Sequence, residues 1–152
     1  EKAISYANEQ ICKLSQEDPN LKGMGTTCTA LLQREDKIYI AHVGDSRIYI
    51  YTDTKFYRIT KDHSFVQKLV DSGQLEDSET ESHPRKNELT RALGITPDVI
   101  VEVAENPILA KKGDKFLMCS DGLSGLVNDL TISNALKRSK MRCSRWPPRF
   151  LY

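Results

Sequence analysis

The sequence contains no hydrophobic run near the roughly 18 residues that a membrane-spanning helix needs. Its first ten residues lack both the basic and the apolar region of a secretory signal. The four cysteines form no Cys-x-x-Cys pair and no cluster with histidine, which argues against structural zinc and against a disulfide framework. We therefore expect a cytoplasmic protein with no membrane partner.

The composition favours a folded domain, but its charge is unevenly distributed. Charged residues make up 28% of the 152 residues and hydrophobic residues 39%, as in globular proteins of one domain. Residues 137–152 hold six of the 22 basic residues and no acid, so the body is net acidic. We assign residues 1–136 to the domain and 137–152 to an atypical basic tail, either a non-native end or a disordered arm.

The charge of the body also bears on possible partners. A net acidic domain disfavours nucleic acid as its partner, because the phosphate backbone is negatively charged. The weaker alternative is that the basic tail itself binds DNA or RNA. Such binding would depend steeply on salt and vanish on removal of residues 137–152.

The first half of the chain reads as one helix followed by four strands. Apolar residues recur at helical spacing from Ile4 to Leu14, which predicts a helix over residues 3–16. Short polar turns then separate four runs with strand composition, which favours an antiparallel meander. Apolar groups occur on both faces of these strands, so we expect both faces to be covered. The four runs are TTCTALLQ, KIYIAHV, RIYIYT and FYRIT.

The second half mixes a helix, an exposed segment and further strands. The apolar residues from Phe65 to Val70 predict a helix that stops at Gly73. Residues 74–87 are polar, and Pro84 limits them to a short helical turn. DVIVEVAE and DKFLMCS then read as two strands. This order predicts layered α+β packing around a sheet sandwich.

Two aspartates are the sharpest candidates for chemistry. Asp45, in Gly-Asp-Ser-Arg, and Asp121, in Ser-Asp-Gly-Leu, each follow an apolar strand and lie beside a glycine. A carboxylate at a strand end is exposed at the rim of a sheet, and hard cations such as Mg²⁺ and Mn²⁺ prefer such oxygen ligands. Either motif alone is more often a plain turn. The argument therefore depends on finding both together.

Five blocks in a fixed order resemble the metal-dependent, type 2C serine/threonine protein phosphatases, particularly the bacterial-style members. They run from about Gly23 to about Ala135, roughly three-quarters of the chain. The resemblance implies a four-layer α-β-β-α sandwich of antiparallel sheets, incomplete at both ends here, with a metal cluster at one end of the sheets. The blocks are GMGTTCTALL, IYIAHVGDSRIYIY, ITKDHSFVQKLV, ESHPRKNELTRALG and GDKFLMCSDGLSGLV.

The resemblance also implies roles for particular residues. Asp121 matches the aspartate that helps to hold the core metals, and Asp45 matches the one that joins it at a third, weaker metal position. Residues 63–93 match a flap that borders the active site. Within it, His83 and Arg85 could approach a phosphopeptide. The alternative is a capping or salt-bridging role in a solvated loop.

The implied reaction is hydrolysis of phosphoserine and phosphothreonine by a water activated by two divalent ions, Mn²⁺ or Mg²⁺. Such a reaction requires no nucleophilic side chain. This agrees with the absence of a Cys-x5-Arg signature and with three dispersed histidines, too few for a His-rich metallophosphatase. By the same resemblance, the implied partners are proteins phosphorylated on serine or threonine, the substrates of a cognate kinase.

The departures from the family pattern are as informative as the matches. The Glu-Asp and Asp-Gly-x-Gly-Gly motifs expected before the first helix are absent, and the basic tail stands where an Asp-Asn pair is expected; Asn128-Asp129 is in the wrong place and order. Of the core-metal carboxylates only Asp121 carries over. We therefore expect this chain to bind metal weakly and to hydrolyse phosphate esters poorly or not at all. The alternative is a pseudophosphatase that binds phosphoproteins or kinases.

Overall fold

The strands form two antiparallel sheets in the computed structural model, which describes residues 1–139. Cys143 and most of the predicted basic tail lie outside the described residues. Over the described part, no helix has the length and apolar character needed to cross a membrane. The helices are α1 (Lys2–Glu17), α2 (Phe65–Asp71), α3 (Asp121–Ser124) and α4 (Asp129–Arg138), and the strands are β1 (Cys28–Arg34), β2 (Lys37–Val43), β3 (Arg47–Thr52), β4 (Lys55–Arg58), β5 (Glu102–Val103), β6 (Ile108–Leu109) and β7 (Lys115–Cys119).

Two hairpins start the two sheets. In sheet I, β1 pairs with β2 from Cys28 opposite Val43 to Arg34 opposite Lys37, and both β5 and β6 pair with the other edge of β2. In sheet II, β3 lies between β4 and β7. The turn of the second hairpin has positive φ at Asp53 and Thr54, 46° and 67°, which is the backbone of the tight turns that suit strand twist.

The predicted four-stranded meander is wrong at its centre. β2 and β3 are joined by only Gly44, Asp45 and Ser46, yet they lie in different sheets. The connection carries the chain from one layer to the other, so the neighbour of β3 is the distant β7 instead of β2. Packing explains the choice, since the apolar faces of the two hairpins are buried only when one hairpin lies on the other.

The core between the sheets comes from alternate residues of the two hairpins. Ile38 and Ile40 of β2 form one buried cluster with Ile48 of β3, and Phe116 of β7 packs against it. The opposite face of β2 is covered as well, because Val43 packs with residues of α1 and of the segment after α2. Both faces of this strand are therefore covered, as its sequence predicts.

Helix α4 lies on the outer face of sheet II and completes the expected α-β-β-α order. The hydroxyl of the fully buried Tyr49 donates to Asp129 at 2.9 Å. At the other end of α4, the ammonium of Lys115 donates to the carbonyl of Ser139 at 2.7 Å, which satisfies a helix C-terminus. Asn128 caps the first turn through Thr131 N. The Asn128-Asp129 pair thus has a structural role at the start of α4.

The segment after the flap departs from its sequence prediction. The run DVIVEVAE was expected to be one strand, but only Glu102 and Val103 pair with β2. The apolar residues Val99 and Val101 pack against the cluster beneath α1 instead, so the segment follows that surface rather than a sheet edge. The other predicted strand, DKFLMCS, is confirmed as β7. The short β6 was not predicted.

Asn8 ties α1 to the loop that precedes β5. Its side chain is fully buried, and three of its four hydrogen bonds reach residues more than 80 positions away, while the fourth is accepted from Cys12 Sγ. The amide nitrogen donates to the carbonyls of Thr96 and Pro97 at 2.9 and 2.8 Å, and the amide oxygen accepts from Gly94 N at 2.8 Å. An amide is suited to this position because it both donates and accepts.

We expect Asn8→Ala to lower the free energy of unfolding by about 3 kcal/mol, because a buried group left without its hydrogen bond costs about 1–3 kcal/mol. Urea unfolding followed by circular dichroism measures the change. Glu9→Ala, on the exposed face of the same helix, is the matched control and should alter stability by less than about 0.5 kcal/mol. Equal stability of the two variants would contradict the role given to Asn8.

Candidate metal centre

The crossing between the sheets brings Asp45 and Asp121 to one cavity. Asp45 lies in the connection between β2 and β3, and Asp121 follows β7 at the start of α3. Since β3 and β7 are paired with Arg47 opposite Cys119, the two aspartates emerge at the same end of sheet II. Both line a cavity of about 370 Å³. The structure therefore brings together the two carboxylates singled out from sequence.

The two carboxylates repel each other. Burial raises the pKa of Asp45 above its ordinary value, and the negative charge of Asp121 raises it further. The folded protein thus holds a concentration of negative charge in a partly closed space. A cation bound between them would relieve both effects, which is the electrostatic property expected of a cation site.

A buried ion pair supports the wall of the cavity. The guanidinium of Arg47 donates from Nε to Asp62 Oδ1 at 3.0 Å and from Nη2 to Oδ2 at 2.6 Å. Only 17% of the Arg47 side chain and 9% of the Asp62 side chain are exposed. Although burial opposes it, hydrogen bonding to Asp62 raises the pKa of Arg47. Asp62 is therefore committed to Arg47 and is a poor candidate for a metal ligand.

The available donors fit one largely hydrated ion better than a pair of ions. Mg²⁺ and similar cations are often held by one or two carboxylates plus water, and Asp45 and Asp121 satisfy that requirement. Within residues 1–139, the one group of three metal-capable donors within 4.8 Å of each other is His42, His63 and Glu102, which contains neither aspartate. Asp77 and Glu81 also line the cavity, but within residues 1–139 neither forms a group of three close metal-capable donors with Asp45 and Asp121, so a centre with two ions would need further carboxylates.

The flap candidates His83 and Arg85 contact Phe65, at the start of α2. The Arg85 guanidinium lies 3.5 Å from the centre of the Phe65 ring and pairs with both oxygens of Glu88 at 2.7 and 2.6 Å. The His83 ring centre lies 5.9 Å from that of Phe65. The cavity is bordered instead by flap residues such as Lys86 and Asn87. Contact of His83 or Arg85 with a substrate stays a prediction.

Most residues of the cavity were not singled out from sequence, and three of them form a charged group. Arg47, Asp62 and Arg58 all line it. Arg58 donates to Gln67 Oε1 at 3.1 Å and lies 3.8 Å from Asp62. The available signal was a charged residue at the end or the edge of an apolar strand run. That signal does not reveal which charges meet, because Arg47 and Asp62 come from segments on either side of a hairpin.

Three comparisons with known proteins find relatives of this chain. Residues 1–147 match the family model described as protein phosphatase 2C. The chain is 41% identical over 136 residues to the serine/threonine protein phosphatase PstP of Mycobacterium tuberculosis, covering 89% of this chain and 26% of that protein. It superposes on serine/threonine phosphatase Stp1 of Staphylococcus aureus with a TM-score of 0.83 at 35% identity, covering 91% of this chain and 54% of that one.

A third relative was solved with metal. The catalytic domain of PstP in complex with two manganese ions matches with a TM-score of 0.72 and 39% identity, covering 86% of this chain and 53% of that domain. The chain thus spans about a quarter of the full PstP protein and about half of each of the two solved chains.

We expect Asp62→Ala to lower the free energy of unfolding by about 3–5 kcal/mol, because it leaves the Arg47 charge buried without its partner. Chemical denaturation measures the effect. The matched control is Asp71→Ala, which removes the partner of Lys61 from an exposed ion pair of 2.7 Å. That change should cost less than about 1 kcal/mol. Similar losses of stability in the two variants would contradict the cost assigned to leaving Arg47 without its partner.

We expect Asp45→Asn to raise the free energy of unfolding at pH 7 in the presence of a chelator. A pKa raised by folding means that the folded state binds the proton more tightly than the unfolded state, so ionisation of Asp45 destabilises the fold as pH rises. The gain should vanish at acidic pH, where an ordinary carboxyl with a pKa of about 4 is protonated in both states. Denaturant midpoints at several pH values test this. Asp98→Asn, at an exposed carboxylate, is the control, and a gain that is constant with pH would contradict the explanation.

Proposed function

The chain belongs to the protein phosphatase 2C family, and on that basis we propose that it forms the central part of a metal-dependent serine/threonine protein phosphatase domain. One observation carries the proposal: Asp45 and Asp121 come from different parts of the chain and line one cavity at the same end of the fold. The substrates would be proteins phosphorylated on serine or threonine, in the cytoplasm and opposite a cognate kinase. Nucleic acid and membranes are not proposed as partners.

Asp45 and Asp121 are the residues that would hold Mn²⁺ or Mg²⁺ in this chain. When bound, such ions supply an activated water and stabilise charge on phosphoryl oxygens. The two manganese ions in the PstP domain support this choice of cofactor. The raised pKa of Asp45, which follows from burial and from the charge of Asp121, also favours a bound cation.

Positive side chains that line the cavity would attract a phosphorylated substrate, although Lys86 also lies 3.7 Å from Glu81. Arg58 and Lys86 line the cavity together with the two aspartates. Arg58 faces Asp62, but that carboxylate already accepts three hydrogen bonds from Arg47, so the Arg58 charge is only partly compensated. A guanidinium is suited to phosphate because its donors match two oxygens at once.

The second candidate function is binding without catalysis. Asp45 and Asp121 alone are too few to hold two divalent ions against the cost of their dehydration. A chain with this site could therefore act as a pseudophosphatase, engaging phosphoproteins or kinases through the cavity and the flap. The two functions share the binding surface and differ in whether the phosphoryl group is hydrolysed.

We expect the 152-residue chain to show little or no Mn²⁺-dependent hydrolysis of a phosphothreonine peptide and to bind Mn²⁺ weakly, because Asp45 and Asp121 alone cannot retain two ions. Phosphate release and Mn²⁺ titration are the measurements, with circular dichroism to confirm folding. Asp121→Asn should abolish the remaining Mn²⁺ binding, whereas Asp98→Asn should leave it unchanged.

The outcomes separate the two functions. Strong activity that needs Mn²⁺ and disappears in Asp121→Asn would contradict the expected deficit of ligands and would point to carboxylates donated by a second chain. Peptide binding without hydrolysis, weakened in Arg58→Ala, would support the binding function. Absence of Mn²⁺ binding and of peptide binding in a folded chain would refute both proposals for this chain.

A further inference from the structure

We infer that His63, oriented by Glu102, is a positioning residue that fixes the backbone immediately before Asp45. The inference rests on the proposed function in one respect, namely that Asp45 holds a cation. We call the three residues His63, Glu102 and Gly44 the histidine clamp. These three residues are distinct from Asp45 and Asp121. Glu102 lies in β5, a short strand of sheet I.

His63 holds Gly44 through two hydrogen bonds of opposite direction. The backbone N–H of His63 donates to the carbonyl of Gly44 at 2.9 Å. The backbone N–H of Gly44 donates to Nδ1 of the His63 ring at 3.1 Å. The backbone N–H of Gly44 is thus bound by the His63 ring, and its carbonyl by the His63 backbone.

Glu102 determines which nitrogen of His63 can accept. A neutral imidazole has one protonated nitrogen and one acceptor nitrogen. Because Nδ1 accepts from Gly44, Nε2 carries the proton and donates to Glu102 Oε2 at 3.0 Å. Arg91 Nη1, 3.3 Å from Nε2, is then a neighbouring donor and not a hydrogen-bond partner of the ring. Burial acts in the opposite direction, but the hydrogen bond from His63 contributes to a lowered pKa of Glu102, which keeps the acceptor ionised. This is how a second residue fixes a histidine tautomer.

The held residue has little freedom to move. Gly44 has a φ of +108°, and a Cβ placed on it would lie 2.3 Å from the methyl group of Thr27. The Thr27 hydroxyl in turn lies 2.8 Å from the hydroxyl of Ser46, on the far side of Asp45. Asp45 is therefore flanked by two fixed residues. Its carboxylate position depends on that backbone.

His42 supports the ring of His63 from the side. The two rings stack with centres 4.4 Å apart and planes inclined by 18°. His42 is buried, and within residues 1–139 neither of its ring nitrogens has a hydrogen-bond partner. Burial, and then the neighbouring His63, lowers the pKa of His42, so this ring stays neutral and acts by packing.

A transition-metal site at His42, His63 and Glu102 explains the contacts less well. Near-parallel stacked rings direct their lone pairs in separate planes, so an ion in the plane of one ring lies outside the plane of the other. The hydrogen bond from Gly44 also leaves Nε2 protonated, which blocks it as a ligand. In addition, the Arg91 guanidinium lies 3.3 Å from Nε2, where it would repel a cation.

The test combines three measurements on the full chain. ¹⁵N NMR reports the His63 tautomer, amide hydrogen exchange reports protection of Gly44, and a Mn²⁺ titration reports broadening of the Gly44 and Gly122 amide signals. In the wild type we expect a proton on Nε2 and a protected Gly44 amide. In Glu102→Ala we expect mixed tautomers, Gly44 exchange faster by about tenfold, and a Mn²⁺ midpoint raised by about tenfold, the low end for loss of a residue that orients a metal site.

Matched variants separate positioning from general damage. Glu105→Ala removes the same charge from an exposed position three residues further along the same segment and should change none of the three readouts. His63→Asn, which offers an amide oxygen near the position of Nδ1, should restore part of the Gly44 protection that His63→Leu loses. A proton on Nδ1 in the wild type, or unchanged Gly44 exchange in both Glu102→Ala and His63→Leu, would overturn the inference.

The same experiment distinguishes the clamp from the proposed function. If the wild-type chain shows the expected tautomer and a protected Gly44 but no broadening by Mn²⁺, the cation role of Asp45 is wrong, and with it the positioning role inferred for His63. If Mn²⁺ broadens both amides while the tautomer is the opposite one, the cation site stands and the clamp alone is refuted.

Discussion

The three residues between β2 and β3 are the constraint on which the packing of the two sheets and the position of the cavity depend. Within that distance the chain leaves one sheet, enters the other and presents Asp45 to the cavity. The backbone achieves this through a residue with φ of +108° and no room for a side chain. Everything that meets at the cavity follows, because the crossing aligns β3 with β7 and so brings Asp121 to the same end of the fold.

The elements themselves were largely predictable, because their signals are local. Runs of strand composition between short polar turns located β1 to β4, and helical spacing located α1 within a residue at each end. The pairing of β2 and β3 was mispredicted, since a short polar connection between two strands looks the same whether it makes a hairpin or a crossing. The deciding partner, β7, begins more than 60 residues after β3. Asp45 and Asp121 were found by motif resemblance, whereas the Arg47–Asp62 pair and the contact between His63 and Glu102 needed three-dimensional distances.

The cavity combines groups that oppose stability with groups that restore it. Asp45 and Asp121 repel one another in a partly buried space. Their repulsion favours binding of a cation and destabilises the fold when no cation is bound. The Arg47–Asp62 pair lies beside them and holds β3 to the segment before α2. A buried charge pair costs desolvation, but it provides a fixed wall whose geometry does not depend on the ion.

The division of the hairpins also has a consequence for synthesis on the ribosome. The inner faces of β2 and β3 can meet as soon as the second hairpin has emerged, but β7 and α4 arrive only after dozens of further residues. Until then one edge of β3 has no partner, and Tyr49 lacks the Asp129 acceptor of its hydroxyl. A nascent chain of this protein therefore exposes an apolar strand edge for several seconds at ordinary elongation rates of roughly 5–20 residues per second. That interval is when molecular chaperones have a binding site that the finished fold removes.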